Sequence, residues 1–205
     1  GCHAASVITS LTAQNTCKVA NVVPQSPGFV QQQLQLVCED MEIAACKIGL
    51  LGSEAIIDTV AEMLSAYPIP IVLDPVITAG SGDKLADDEV CRRMLSTLFP
   101  LADIVTPNSE EARILGESEQ LDVAAQTMLA SGSEYVLITG THDDTEHVIN
   151  TLYSLDNEPV QHCWERLPGS FHGSGCTLSS RIAAELALGA DMNKAVLQAQ
   201  TYTWS

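Results

Sequence analysis

Positive charge is scarce in this chain: nine Lys and Arg stand against twenty-six Asp and Glu over 205 residues, a formal net charge of -17. A surface that acidic repels phosphate backbones and anionic membranes, so nucleic acid is excluded as a broad electrostatic partner. A small anionic ligand is not excluded, because helix N-termini, a few Lys or Arg side chains and a divalent cation create local positive potential. Also lacking is any apolar run of the roughly 18 residues that span a bilayer, or a basic stretch followed by an apolar one at the start. A cytoplasmic protein with no membrane partner is expected. The seven cysteines (Cys2, Cys17, Cys38, Cys46, Cys91, Cys163, Cys176) include no C-x-x-C pair. Their odd number and apolar surroundings point to reduced thiols. There is no internal repeat, low-complexity tract or interdomain linker. With 46% hydrophobic and 17% charged residues, the chain can close one core, and a single domain over residues 1–205 is expected. It opens on Gly1 inside an apolar segment, which suggests sequence missing upstream.

What is present alternates. Ala4 to Ser10 reads as a strand, Pro27 to Glu39 as a helix with proline at its start, and Ala44 to Ile48 as a second strand. Ser53 caps a helix over Glu54 to Ala66, whose Ile56, Ile57, Val60, Met63 and Leu64 recur at helical spacing; Pro68 and Pro70 end it before a strand over Ile71 to Leu73. The rhythm continues through a helix near Asp87 to Leu98, a strand Asp103 to Thr106, helices from Ser109 and Leu121, and an apolar strand Tyr135 to Thr139. This is a βαβ pattern, and it predicts an α/β fold with a mostly parallel central sheet between helical layers. Between Val148 and Trp164 the alternation becomes that of two antiparallel strands around Asp156-Asn157, an antiparallel edge.

The sharpest chemistry lies in Gly173-Ser174-Gly175-Cys176, a glycine loop running into an alanine-rich helix. The glycines let a ligand approach the backbone, and the helix start offers unpaired N–H groups and a positive dipole end. Cys176 in that first turn is expected to have a lowered thiol pKa. The competing reading is a tight turn with Cys176 as a small apolar residue. Four further segments sit where strands feed loops: Thr12-Ala13-Gln14-Asn15-Thr16, Lys47-Ile48-Gly49, Asp74-Pro75-Val76, and Thr106-Pro107-Asn108 with Glu110 and Glu111. In open α/β sheets such ends line one ligand crevice.

Together TAQNT, KIGLL, LDPV, TPNSEEA and HGSGCT resemble the successive signatures of the hydroxymethylpyrimidine/phosphomethylpyrimidine kinase family, over nearly the whole chain and in the family's order. The resemblance implies a ribokinase-like three-layer α/β/α sandwich. It also implies ATP-dependent phosphorylation of 4-amino-5-hydroxymethyl-2-methylpyrimidine, then of its monophosphate, in thiamine biosynthesis. Carried over by residue, Gln14 hydrogen-bonds the aminopyrimidine, while Val76 and Leu50 (the latter where relatives carry Met) wall it. Asn108, Glu111 and Asp74 organise Mg2+; helix capping is the alternative for Asn108 and turn formation for Asp74. Thr139, Gly140, Thr141 and Asn108 face ATP. Gly173, Ser174 and Gly175 form the anion hole, and Cys176 acts as the base.

Relatives are commonly homodimers. Against the family pattern, Thr139 stands for the lysine and Thr141 for the second glycine of V-K-G-G-H. The family's N-terminal segment, with its first strand, is expected upstream of Gly1, and its final helix extends past the segment near Met192. Two other functions stay open: a pyridoxal kinase-like enzyme, which shares the fold, the ATP chemistry and sometimes a cysteine anion-hole motif, and, on these departures, a pyrimidine-binding homologue that has lost phosphoryl transfer.

Overall fold

The computed structural model describes residues 1–15, 18–78, 85–143, 145–169, 171 and 173–205. A six-stranded sheet forms its centre, in the order β3 (Cys46–Ile48), β4 (Ile71–Leu73), β5 (Ile104–Val105), β6 (Tyr135–Ile138), β7 (His147–Ser154) and β8 (Val160–Glu165). The pairings from β3 through β6 are parallel, and β7 and β8 join antiparallel. The expected parallel sheet with an antiparallel edge is therefore present.

Strand pleating explains the layers. Successive side chains point to opposite faces, so Leu73, Val105, Val136 and Ile138 join one buried cluster. Their neighbours Val72, Ile104 and Leu137 join another. The first cluster is covered by α1 (Pro27–Asp40), α2 (Glu54–Leu64), α3 (Asp88–Thr97), α4 (Ser109–Leu115) and α5 (Leu121–Ala130). The second is covered by α6 (Ser174–Ala187) and α7 (Met192–Thr203). The result is a three-layer sandwich. Capping sets where these helices begin: Ser26, Ser53, Asp87 and Asp191 each accept a first-turn backbone N–H, satisfying donors that the helix itself leaves orphaned.

The N-terminal region departs from the sequence expectation. Ala4 to Thr9 is not a strand; β1 covers Ser10–Gln14 and pairs antiparallel with β2 (Val19–Pro24) in a hairpin separate from the main sheet. Thr12, Ala13 and Gln14 of the TAQNT motif are thus strand rather than loop, and Thr16 lies outside the described residues. A side chain explains the shift. Gln33 on α1 accepts the Ile8 N–H at 2.9 Å and donates to the Ile8 carbonyl at 3.1 Å. Its amide occupies the place a neighbouring strand would take.

Candidate active site

The carboxyl ends of the parallel strands bring most of the singled-out residues together. Lys47 at the end of β3 and Asp74 just after β4 form an ion pair at 3.1 Å, with side chains 19% and 9% exposed. Ser179, on the second turn of α6, donates to the same carboxylate oxygen of Asp74 at 3.1 Å. Asp74 and Lys47 also act electrostatically on the Cys176 thiol, which sits at the exposed start of α6. Strand β3, strand β4 and the start of α6 therefore converge on one carboxylate, which is an anchor rather than only a turn former.

Gly173 stands at the N-terminus of α6 with φ +83°, the left-handed region that favours glycine. Among the described residues, nothing stands within 4 Å of a Cβ placed at Gly173 or Gly175, which leaves the backbone there accessible to a ligand. The expected acidic thiol is corrected. Cys176 is exposed as a residue, but desolvation of its thiol at the protein surface and, second, the neighbouring Asp74 carboxylate raise its pKa, and Lys47 pulls it down by less. A helix N-terminus favours thiolate, but desolvation together with a nearby carboxylate favours the neutral form more.

Asn108 and Glu111 form the capping box that was the alternative reading of their motif. Asn108 Oδ1 accepts the Glu111 N–H at 2.9 Å and Glu111 Oε2 accepts the Asn108 N–H at 3.0 Å. Glu111 does more than cap, since its other oxygen accepts the Ile77 N–H at 3.1 Å. It therefore clamps the loop after β4, which carries half-buried Val76, to the start of α4. Glu111 is 5% exposed. Burial, with Asp74 nearby, pushes its carboxyl up to about 7 against the pull of backbone N–H groups.

Thr139 follows β6 and is held to the neighbouring strand end: its N–H donates to Pro107 O at 3.0 Å, and its carbonyl accepts from Ser109 N at 3.0 Å. Gly140 is buried and packed so tightly on Ile149 that a Cβ would collide with the Ile149 carbonyl. Only glycine fits there without backbone movement. Thr141 is exposed, and its carbonyl accepts from Arg166 at 2.9 Å.

The hairpin hangs from the same end of the sheet. Thr9 donates to Leu50 O at 2.6 Å and Ser10 to Leu51 O at 3.2 Å. Leu50 is half-buried there. Gln14, by contrast, is exposed at the tip end of β1, paired through its backbone with Val19 and outside the Asp74 cluster.

Sequence reasoning named Lys47 only as part of a motif and overlooked Ser179 and Arg166. Lys47 had a usable signal, a lone cation at the end of a strand beside the Asp74 strand. Ser179 carried none, because its partner is 105 residues away.

The whole chain, residues 1–205, matches the family model described as phosphomethylpyrimidine kinase. A hydroxymethylpyrimidine/phosphomethylpyrimidine kinase of Rhizobium meliloti is 34% identical over 214 residues, covering 98% of this chain and 78% of the relative. The crystal structure of a phosphomethylpyrimidine kinase from Clostridium difficile superposes with a TM-score of 0.83 at 32% identity, over 99% of this chain and 86% of that one. A pyridoxal kinase from Staphylococcus aureus in complex with ADP superposes with a TM-score of 0.86 at 26% identity, over 96% and 74%.

Proposed function

Because this chain belongs to the phosphomethylpyrimidine kinase family, we propose that it transfers the terminal phosphoryl group of ATP to the hydroxymethyl group of 4-amino-5-hydroxymethyl-2-methylpyrimidine, and then to the monophosphate, in thiamine biosynthesis. The observation that carries this reading is the convergence of Lys47, Asp74 and Ser179 at the glycine-started N-terminus of α6, where Cys176 occupies the first turn. That arrangement suits phosphoryl transfer. A loose transition state spreads charge over the equatorial phosphoryl oxygens, and backbone N–H groups aimed at them supply most of the stabilisation. Gly173, Ser174 and Gly175 are the anion hole. Lys47, paired with Asp74, gives this end of the pocket a cation.

Cys176 rests as a thiol with Asp74 beside it. As the substrate oxygen bonds to phosphorus and the bond from phosphorus to the leaving ADP oxygen breaks, Cys176 assists removal of the hydroxyl proton, with the Asp74 carboxylate nearby as the charged group that can take it up. A dissociative transition state makes this a late and modest demand, so positioning outweighs basicity. Gln14 and Val76 contact the pyrimidine, with Leu50 beside them. Thr139, Gly140, Thr141 and Asn108 face the nucleotide.

The donors fit Mg2+ held through water. Both Glu111 oxygens already accept backbone N–H groups, leaving second lone pairs for water protons. Among the described residues no three His, Cys, Asp or Glu side chains gather for one cation, so phosphate oxygens would complete an octahedral shell. Bound there, the ion would neutralise phosphate charge. Asp74, Asn108 and Glu111 would orient its waters.

The test is ATP-dependent phosphorylation with Mg2+ of the hydroxymethylpyrimidine and, separately, of pyridoxal. Turnover of the pyrimidine, with kcat in Cys176→Ala lowered by about a hundredfold, is the expected result. Preferred turnover of pyridoxal would replace this reading with the pyridoxal kinase one. Pyrimidine binding without turnover would make the protein a binder.

A further inference from the structure

Beneath Gly140 runs a chain of buried amides. The Gly140 N–H donates to Asn150 Oδ1 at 3.1 Å. Asn150 Nδ2 donates to Gln200 Oε1 at 2.8 Å, and the same oxygen accepts the Trp164 indole N–H at 2.8 Å. Gln200 Nε2 completes the chain by donating to Val196 O at 3.3 Å. Asn150 and Gln200 are both 0% exposed. They lie among Val148, Leu152, Val196 and Ala199, where two apolar side chains would serve packing as well. An amide buried in such surroundings is costly unless it is hydrogen-bonded, and here the bonds of Gly140, Asn150 and Trp164 each join a different element to the next.

The place of Asn150 in the sheet explains what is fixed. Pairing of β6 with β7 ends at Ile138 opposite Thr151. Beyond it the chain turns towards β5, through the bonds of Thr139 with Pro107 and Ser109, and the ladder offers Gly140 no strand partner. The Asn150 side chain takes over that role. On α7, Gln200 holds Asn150 and is itself held by Trp164, whose ring stacks on Trp204 with centroids 5.2 Å apart and planes inclined by 26°. The nucleotide-facing loop is thereby tied through two side chains to the chain's only two tryptophans.

We propose that Asn150 and Gln200 are positioning residues for ATP: they hold Gly140 and Thr139 in the nucleotide-binding conformation and transmit displacement of that loop to the Trp164–Trp204 stack. The proposal rests on the reading of residues 139–141 as facing ATP. It assigns a role in substrate binding to two residues remote from the Cys176 chemistry.

Steady-state kinetics of the full chain, with tryptophan emission recorded during ATP titration, separate the possibilities. Asn150→Leu is expected to raise KM for ATP about tenfold, leaving KM for the pyrimidine within about twofold. Gln200→Met, which removes the shared acceptor, is expected to raise KM for ATP and abolish the emission response. Gln200→Glu keeps an acceptor oxygen for Asn150 and Trp164 and is expected to lie closer to wild type on both readouts. If Asn150→Leu does not fold, the two Gln200 variants decide alone. Equal KM for ATP in Gln200→Met and wild type, or parallel rises for both substrates, overturns the positioning role. If wild type turns over neither substrate, the reading of the active site fails, and the emission titration still decides the coupling: an ATP response lost in Gln200→Met supports it. A wild-type emission unmoved by ATP overturns it.

Discussion

The two sides of the candidate site are built in opposite ways. On the phosphate side, Lys47, Asp74, Ser179 and Glu111 are held by ion pairs and hydrogen bonds between elements remote in sequence, and most of them are buried. On the pyrimidine side, the β1–β2 hairpin is a two-stranded unit attached through Thr9 and Ser10 to the Leu50–Leu51 backbone. A two-stranded hairpin has little stability of its own. The contrast teaches that the groups meeting the charged, reacting end of the substrates are preorganised, where misplacement is costly. Gln14, proposed to read the ring, sits on a part of the fold that contributes little to the core.

The sharpest way to break this contrast is Lys47→Met. It leaves the Asp74 carboxylate 6% exposed without its cation, and removing one partner of a buried pair costs about 3–5 kcal/mol. Partial exposure of Lys47 places the expected loss at the lower end. Urea unfolding measures it. The same variant removes the one nearby charge that lowers the Cys176 pKa, so the thiol should become still less acidic. The pH dependence of its alkylation should shift to higher pH. No loss of stability and an unmoved alkylation profile would show that the phosphate side is not tied as described.

Glu111 gives the next largest effect. Its folded carboxyl titrates at about 7 against an ordinary 4.5. The folded state therefore binds more proton than the unfolded one between those values, and stability falls as pH rises from about 4.5 to about 7. The gap corresponds to about 3 kcal/mol. Without divalent cation, wild type should be more stable at pH 5 than at pH 7.5, and Glu111→Gln should flatten the dependence. A wild-type profile flat over that range would contradict the burial assigned to this carboxylate.

The parallel core was legible because its signals are local. Apolar spacing in Ile56, Ile57, Val60 and Leu64, the caps at Ser53 and Asn108, and the prolines before Ile71 each state an element within a few residues. The strand ends then placed Asp74, Asn108 and the Gly173 loop on one side by the geometry of α/β sheets alone. What escaped depends on contacts made at long range. The shifted first strand follows from Gln33 pairing with Ile8, and β2 pairs within a hairpin whose register no motif announced. The sign of the Cys176 shift depends on desolvation by packed elements and then on Asp74, about a hundred residues earlier, and a local helix-dipole argument could not see either. Asn150 and Gln200 read as an ordinary strand residue and an ordinary helix residue until β7 and α7 are packed together.

The smallest stability effect belongs to Gln14, the residue proposed to recognise the pyrimidine. Gln14 is exposed, its backbone pairs with Val19, and truncating it buries nothing unsatisfied. Gln14→Ala should therefore change unfolding free energy by less than about 0.5 kcal/mol, as surface substitutions do. An amide that donates to and accepts from one face of the aminopyrimidine contributes about 1–2 kcal/mol on binding, so KM for the pyrimidine should rise about tenfold while KM for ATP stays put. The pair of measurements is what discriminates. An unchanged pyrimidine KM would remove Gln14 from the site and leave ring recognition to Val76 and Leu50. A large loss of stability would instead show that the hairpin is as firmly built as the sheet end, and the contrast between the two sides would dissolve.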